Sequence, residues 1–301
     1  MPNYTTENNS KLGFLGAALA AEPLFEVAGY TVTNAMTNAW ASIVFFIIIA
    51  FITTRRKGLV PKGVHNLIEA LVAFVRDEIQ KVTEDERKTK MFIPLVATIF
   101  FFVLVNNWMG LIPGTGTIGI YGESHGALAL IPLLRPATAD LNLTLAIAVV
   151  SIGTTHYFGM KELGAFNHIS KFLNFKGIFQ SIKKGPMAIV VSFVEFGIGL
   201  IEIVGEFAKT LSLSLRLFGN VFAGEILLTV MLSLFSYVLP VPFMFLEILV
   251  GVIQATVFAM LTLAFLVVAT LEHGHDDHDE HEDDIIDKDA HIDLKQVEPA
   301  R

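Results

Sequence analysis

The sequence predicts an all-α, polytopic membrane protein with about five membrane helices and one interfacial amphipathic helix. Of the 301 residues, 53% are hydrophobic and only 17% are charged, which is below the roughly 25% charged residues of a soluble domain. The apolar residues are also clustered, because no Asp, Glu, Lys or Arg occurs in the stretches 27–54, 91–122 and 141–160. Each stretch is long enough for a membrane-spanning helix, which needs about 20 mostly apolar residues.

The helix boundaries follow from the points where apolar runs meet charges and helix-breaking residues. Before the third span, Pro136 is followed by Thr138 and Asp140, and either of these is expected to cap the first helical turn. The last two spans are separated by a short turn rich in proline and are expected to form a hairpin. The predicted membrane domain covers 31–271, with spans at 31–54, 91–112, 138–160, 186–235 and 243–271.

An amphipathic helix is predicted at 62–83, between the first two spans. Polar residues such as Glu69, Arg76 and Asp77 make this segment too polar to span, so it is expected to lie in the inner membrane interface. A soluble helix packed on a loop is the alternative. The apolar residues recur at helical spacing on one face, at Val64, Leu67, Ile68, Leu71, Val72, Val75, Ile79 and Val82.

Basic residues indicate the orientation, because loops rich in Lys and Arg stay in the cytoplasm. The loops at 55–90 and 161–185 are rich in both residue types. By contrast, residues 1–26 hold one basic residue, the 113–140 loop holds Arg135, and the turn near 236–242 holds none. This alternation predicts five crossings, with the N-terminus outside and the C-terminus in the cytoplasm.

The two ends lie outside the predicted membrane domain. Residues 1–30 are expected to form an outer segment, although the apolar patch at 12–21 could instead belong to a signal peptide. Residues 272–301 form an acidic, His-rich tail that is expected to be disordered. A metal-binding tail is the alternative, because histidines and carboxylates are ligands for zinc or nickel. The histidines concerned are His273, His275, His278 and His281.

The predicted helix at 186–235 is apolar in bulk but carries a stripe of charges. Its main members are Glu195, Glu202, Lys209 and Arg216, each seven residues after the previous one. Seven residues are about two helical turns, so these side chains lie along one slowly drifting face. Glu206 lies on the same side, and Asn220, four residues after Arg216, extends the stripe. Glu206 and Lys209 could simply form an ion pair near the inner interface, where a lysine can snorkel.

Of these charges, Arg216 is expected to carry the largest free-energy cost within a membrane. Roughly 30 apolar-rich residues precede it, and no carboxylate is close to it in sequence. An arginine within a membrane needs a partner or water, so its partner is expected on another subunit. Glu225 is about half a turn out of phase with Arg216 and is expected to face the last helix, which carries Glu247 and Gln254 on one face. Carboxylates on two neighbouring membrane helices predict a water-filled proton path.

Five segments resemble subunit a of the F-type ATP synthases, in the order and at the spacing of that family from about residue 25 to 272. The most specific is 211–225, LSLSLRLFGNVFAGE, which resembles the family's signature. The others resemble the amphipathic second helix, the end of the second span, the start of the third and the last helix. They are 65–72 (HNLIEALV), 106–114 (NNWMGLIPG), 136–145 (PATADLNLTL) and 247–255 (EILVGVIQA).

The resemblance implies roles for individual residues. Arg216 matches the family's essential arginine, which faces the proton-carrying carboxylates of the ring of c subunits. Glu202 matches an acidic residue of the half-channel to the inside. Glu195, Glu206 and Lys209 are assigned to proton translocation from the stripe alone. The polar residues of the half-channel to the outside are matched by Asn220, Glu225, Glu247 and Gln254.

The resemblance also implies the setting of the protein. It implies that the last two helices form a long, strongly tilted hairpin against the c-ring. It further implies the b subunits of the peripheral stalk and the lipid bilayer as partners, a bacterial plasma membrane, and no cofactor. Such a subunit moves ions and has no active site for ATP. In this family the choice between H⁺ and Na⁺ is set on the c subunit.

Two other classes of protein remain as alternatives. A secondary transporter with a buried arginine for an anionic substrate would be expected to show discontinuous helices and an inverted repeat. An intramembrane enzyme would need a metal triad or a nucleophile within the spans, whereas His156 and His168 look isolated in the sequence. The chain has no cysteine, which excludes disulfides and thiol chemistry. Its net charge of −8 comes mostly from the tail, so nothing points to a nucleic-acid partner.

Overall fold

The structure is a computed structural model that describes residues 21–27, 29–55, 63–112, 118–124, 127–165, 168, 186–234, 238 and 240–271. The apolar patch at 12–21 lies almost wholly outside these residues, as do the tail at 272–301 and most of the 161–185 loop. Within the described residues, most of the chain is α-helical. Five helices are long and apolar enough to cross a membrane, which confirms the predicted polytopic all-α class.

The observed helices match the predicted spans to within a few residues. The five long helices are α1 (Asn34–Arg55), α3 (Glu86–Met109), α4 (Leu141–Leu163), α5 (Pro186–Leu234) and α6 (Pro240–Thr270), and the amphipathic helix is α2 (Val64–Thr83). The largest difference at a helix start is at α3, which begins five residues before the predicted residue 91. The reason is a cap, because the Asp85 side chain accepts a hydrogen bond from the backbone N–H of Arg87 at 2.7 Å.

The start of α4 settles which residue caps it. The Asp140 side chain accepts a hydrogen bond from the backbone N–H of Asn142 at 3.0 Å. Thr138 instead lies in a single 3₁₀ turn, Ala137–Ala139, that precedes the helix. Its hydroxyl donates to Asn107 Oδ1 of α3 at 2.6 Å. The segment before α4 is therefore bound to the end of α3.

Two short antiparallel β-hairpins interrupt the helical chain, and the sequence analysis missed both. One pairs β1 (Pro23–Val27) with β2 (Tyr30–Thr33). The other pairs β3 (Gly119–Ser124) with β4 (Ala127–Pro132). The strands are only four to six residues long, so alternation of apolar and polar residues has too little length to reveal them. β1 lies in the predicted outer segment 1–30, β2 covers the first residues of the predicted span 31–54, and β3 and β4 lie in the 113–140 loop.

Part of the apolar face of the amphipathic helix α2 packs against the protein, and part of it is exposed. Val75 and Ile79 are buried in the helix core beside α3. Leu67 and Val82 remain exposed on the same helix. The helix ends at Glu84, whose left-handed φ of 53° turns the chain into α3. A helix that is packed on one side and apolar on its exposed side suits the membrane interface.

Helix α6 forms the centre of the bundle. It packs extensively against α3 and α4 and also contacts α5. Fully buried residues at these contacts include Phe92 and Val103 of α3, Phe258 and Leu263 of α6, and Leu217 of α5. The outer faces of the spans remain apolar and exposed, as expected where helices contact lipid rather than water.

Buried hydroxyl pairs join the helices within this apolar core. Ser151 of α4 lies 2.7 Å from Thr262 of α6, and Thr144 of α4 lies 3.2 Å from Ser214 of α5. All four side chains are fully buried. Hydrogen bonds of this kind contribute on average about 0.6 kcal/mol each in a membrane protein, and they fix α5 and α6 against α4.

The length of α5 constrains how it can sit in a bilayer. It has 49 residues and is therefore about 73 Å long. The hydrocarbon core of a bilayer is only about 30 Å thick. A helix of this length and apolar composition must run obliquely, which agrees with the strongly tilted hairpin implied by the family resemblance.

Replacing Gly110 by alanine is expected to loosen the contact between the end of α3 and the segment before α4. A Cβ at Gly110 would overlap Pro136 Cγ and lie 2.9 Å from Pro136 Cδ, whereas a Cβ at Gly153 would meet no atom within 4 Å. We expect Gly110→Ala to lower the free energy of unfolding by about 1–3 kcal/mol. Thermal unfolding of the purified protein in detergent would measure this.

The matched control is Gly153→Ala, which makes the same chemical change on an open helix face. Its melting temperature should equal or exceed that of the unmodified chain, because alanine favours a helix over glycine. Equal melting temperatures for both variants would contradict the packing described for Gly110.

Candidate functional site

Arg216 lies on α5 at a position where the chain itself offers no partner. Its side chain is exposed, while the flanking Leu213 and Leu217 are buried in the core. Within the described part of the chain, the guanidinium makes no hydrogen bond or ion pair. The sequence predicted this isolation, and the structure agrees with it.

The surface around Arg216 is apolar along most of α5. This helix is the least buried of the five candidate spans. Large exposed hydrophobic side chains lie along α5 before the arginine, at Ile198, Ile201, Val204, Phe207, Leu211 and Leu215. A charge on an apolar helix face within a membrane costs several kcal/mol unless it is paired or hydrated. Arg216 therefore has no intrachain ion pair among the described residues to offset this cost.

A cavity of about 530 Å³ opens beyond Arg216, at the end of the bundle where α5 ends and α6 begins. The hydrophobic part of its wall includes Leu228, Leu232 and Met244. Its polar wall is formed by Asn107, Arg135, Asn220, Glu225, Glu247 and Gln254. The structure thus brings together the four residues that the sequence analysis placed on the outer route, and it adds Asn107 and Arg135.

Asn220 and Gln254 close the cavity on the side of Arg216. Asn220 Nδ2 donates to Gln254 Oε1 at 2.6 Å, which joins α5 to α6. Gln254 is buried, and its Nε2 has no hydrogen-bond partner among the described residues. Asn107 donates to the carbonyl oxygen of Gly251 at 3.5 Å, which holds α3 against the same part of α6.

Arg135 binds Glu225 through a bidentate ion pair that the sequence analysis missed. Arg135 Nε lies 3.0 Å and 3.1 Å from the two carboxylate oxygens, and Nη2 lies 3.0 Å from Oε2. The Arg135 side chain is only 5% exposed. A bidentate arginine–carboxylate pair is geometrically specific as well as strong. Glu225 does face the cavity beside α6, as predicted, but its carboxylate is held by a residue from the outer loop.

Glu247 is positioned by the backbone of α5. A Cβ at Gly224 would overlap its carboxylate group, so a glycine at 224 is what allows Glu247 to reach the cavity wall. No hydrogen bond to the Glu247 carboxylate occurs among the described residues. The two acidic groups of the cavity therefore differ, because Glu225 is bound by an arginine and Glu247 is not.

The predicted inner residues divide into two groups. Lys209 Nζ lies 2.6 Å from Glu206 Oε1, so the two residues form the ion pair that was the alternative to a role in proton translocation, and that role stays a prediction. Glu202 is exposed and makes no hydrogen bond or ion pair in the part of the chain that the structure describes. The Glu195 side chain lies outside the described atoms, so its predicted place in the stripe stays a prediction.

Two histidines lie beside this ion pair, although they look isolated in the sequence. His156 Nε2 of α4 lies 3.6 Å from Glu206 Oε2, and His156 Nδ1 lies 3.2 Å from His168 Nε2. The expectation that these histidines stand alone was wrong, because α4 packs against α5 and the chain after α4 folds back onto it. No sequence periodicity connects positions 12 and 50 residues apart.

Arg216 lies between the cavity and the Glu206 group along one continuous helix. It is ten residues after Glu206 and nine before Glu225, which corresponds to about 15 Å and about 13 Å along the axis. Within the described residues, no group of three or more histidines and acidic residues could hold a metal ion. His273, His275, His278 and His281 lie outside these residues, so metal binding by the tail stays a prediction.

Comparisons with known proteins show which family the sequence resembles. Residues 36–267 match the family described as ATP synthase A chain. The ATP synthase subunit a of Geobacter sp. (strain M21) is 33% identical over 242 residues, which cover 80% of this chain and 89% of the relative. That of Gloeobacter violaceus is 33% identical over 247 residues, covering 81% and 85%. That of Moorella thermoacetica is 29% identical over 252 residues, covering 84% and 96%.

The family match extends over more than two thirds of the sequence, including Arg216, both cavity carboxylates and the Glu206 group. The chain therefore belongs to the ATP synthase A chain family.

Proposed function

We propose that this chain is subunit a of a rotary F-type ATP synthase. In this role it provides two offset aqueous half-channels that carry protons to and from the carboxylates of a c-ring, with Arg216 between them. The observation that carries the proposal is the exposed Arg216 guanidinium on an apolar face of α5, without a partner in the described chain. A ring of carboxylates outside the chain would supply the missing anion.

The cavity between α5 and α6 supports the outer half-channel. It is large enough for several water molecules, and the unpaired Nε2 of buried Gln254 is a group that water would satisfy. Of the two carboxylates in this cavity, Glu247 is the one that can exchange a proton without first breaking an ion pair with an arginine. Glu225, bound to Arg135, fixes charge and water at the mouth of the cavity.

The role of Arg216 is to keep the outer and inner half-channels separate. A c-ring carboxylate that has taken up a proton is neutral and can turn through lipid, whereas an ionised one cannot, because a charge at mid-membrane costs several kcal/mol. The fixed positive charge of an arginine, which does not lose its proton, favours release of the proton at that one place. It also repels a proton moving directly between the half-channels, so each proton must travel with the ring.

The inner route begins on the other side of Arg216. Glu202 lies exposed on the same helix, and Glu206 with Lys209 follows between it and the arginine. These groups provide acceptors for a proton that leaves the ring. The driving force available to such a movement is about 2.3 kcal/mol per elementary charge for each 100 mV of membrane potential.

The proposed partners and location follow from the same role. The c-ring would cover the exposed face of α5, and the b subunits of the peripheral stalk would hold the chain against the rotating ring. The proposed site is a bacterial plasma membrane, with the N-terminus outside and the C-terminus in the cytoplasm. The excess of Lys and Arg in the loops at 55–90 and 161–185 supports this orientation.

Replacing Arg216 by lysine should abolish coupled proton transport although it keeps the charge. An ammonium group is a compact point charge on a flexible stem, whereas the guanidinium is planar, always protonated and pre-organised for a carboxylate. ATP-driven acidification of inverted membrane vesicles measures the effect. Arg76→Lys makes the same exchange on the interfacial helix α2 and should pump at the normal rate. Near-normal pumping by Arg216→Lys would overturn the proposed function.

The Arg135–Glu225 pair should behave as one energetic unit. Glu225→Gln removes the carboxylate that binds a buried guanidinium, and Arg135→Gln removes the guanidinium that binds the carboxylate. Each single variant is expected to destabilise the protein by about 3–5 kcal/mol. The double variant removes both charges, so its loss should be smaller than the sum of the two.

The measurement is a double-mutant cycle on the melting temperature of the complex in detergent. Proton pumping by the double variant should remain below that of the unmodified chain, since the mouth of the cavity loses its fixed charges. Additive losses in stability would show that the two residues do not interact.

A further inference from the structure

Four polar side chains form a continuous line on the inner side of Arg216. Lys209 Nζ is 2.6 Å from Glu206 Oε1, Glu206 Oε2 is 3.6 Å from His156 Nε2, and His156 Nδ1 is 3.2 Å from His168 Nε2. The line starts on α5, crosses to α4 and reaches the segment that follows α4. The two oxygens of Glu206 serve different neighbours, so the carboxylate links the lysine to the imidazole.

We propose that His156 and His168 carry protons between Glu206 and the inner side of the membrane, as a histidine branch of the inner half-channel. This inference rests on the proposed function and assigns proton-carrying residues to it that lie away from the exposed face of α5. The Glu202 side chain, by contrast, is exposed on α5. The histidines provide a second path through the interior of the chain, between α4 and α5.

The geometry of His156 suits a relay, because its two ring nitrogens face different partners. Nε2 faces the carboxylate and Nδ1 faces the second imidazole. An imidazole can therefore accept a proton at one nitrogen and release another from the opposite one. Histidine is also the side chain whose ordinary pKa, about 6.5, lies closest to the pH of a cytoplasm. It can thus be both loaded and unloaded there.

The proton balance of one transfer is simple. His156 begins with its hydrogen on Nδ1, donating to His168 Nε2. Glu206, protonated from the ring side, gives its proton to His156 Nε2 and returns to a carboxylate. The resulting imidazolium releases the Nδ1 proton to His168 Nε2 and becomes neutral with its hydrogen on Nε2. His168 then carries a proton on both nitrogens and releases the one on Nδ1 toward the inner side, which makes it neutral again. A flip of each imidazole ring restores the starting tautomers, and during ATP hydrolysis the reverse sequence carries a proton from the inner side to Glu206.

The surroundings keep the two histidines in place. His168 is only 5% exposed and lies over Gly159, where a Cβ would stand 2.6 Å from His168 Cε1. Glu206 of α5 faces His156 and is itself paired with Lys209. On α4 itself Lys161 and Glu162 follow more than one turn later, and Glu162 is paired with Arg87. From α6, the only acidic or basic residue is Glu247, near its opposite end.

The test uses the complete ATP synthase in inverted membrane vesicles, where the cytoplasmic side faces the medium. The variants are His156→Gln and His168→Gln, each of which keeps a polar side chain but cannot titrate. We expect each variant to reduce the initial rate of ATP-driven proton uptake by roughly tenfold at a medium pH near 6. Positioned proton-transfer groups commonly contribute factors of a hundred or more, but the loss should be smaller here because the route through Glu202 remains.

The dependence on pH separates a proton carrier from a structural residue. The ordinary pKa of a histidine side chain, about 6.5, lies within the pH range of the assay, so a histidine carrier becomes harder to load as the medium pH rises, whereas glutamine does not titrate. The ratio of the unmodified rate to the variant rate should therefore be largest near pH 6 and fall towards one near pH 8. A loss by the same factor at every pH, or rates within twofold of the unmodified chain throughout, would overturn the proposal.

Two controls make the outcome specific. His65→Gln makes the same exchange on the interfacial helix α2 and should leave both the rate and its pH profile unchanged. Copurification of the c subunits with each variant establishes assembly, and His168→Gln decides the question if His156→Gln does not assemble. Arg216→Lys in the same vesicles tests the proposed function separately. If that variant stops pumping while both histidine variants pump normally, the relay fails and the proposed function stands.

Discussion

The exposed charge of Arg216 is the constraint on which the rest of the arrangement depends. A guanidinium on an apolar membrane helix is costly, and in the described chain it has neither a carboxylate nor a hydrogen-bond acceptor within reach. The fold does not shield it, because α5 presents this face outward while Leu213 and Leu217 anchor the opposite face in the core. Under the proposed function, this charge would be satisfied by a carboxylate of the c-ring.

The polar groups on the two sides of Arg216 differ in a way that suits directed transfer. On one side, a cavity holds a carboxylate bound by Arg135 and a second one, Glu247, that is not hydrogen-bonded among the described residues. On the other side, an ion pair leads to two histidines. Because α5 is one continuous helix, about 28 Å separates Glu206 from Glu225. Under the proposed function, a proton would pass between these two groups on a c-ring carboxylate rather than directly past the arginine.

Much of this could be predicted from the sequence, because it depends on local spacing. Apolar runs fixed the five spans, and the three-residue separation of Glu206 and Lys209 indicated their ion pair. The Arg135–Glu225 pair was not predictable, since its partners are 90 residues apart and only the packing of the outer loop brings them together. A single basic residue in the 113–140 loop was the available signal, and it was interpreted as an orientation marker. The contact of His156 with Glu206 likewise depends on how α4 packs against α5.

The most direct test of the central claim asks what lies against Arg216 in the assembled complex. The chain has no cysteine, so Ser212→Cys introduces one thiol one turn before Arg216 on the same exposed face. Val150→Cys places a thiol on an exposed face of α4 as a control. With a cysteine beside the carboxylate of the c subunit, mild oxidation should link c to position 212 and not to position 150. No link at 212, or equal links at both positions, would contradict the account.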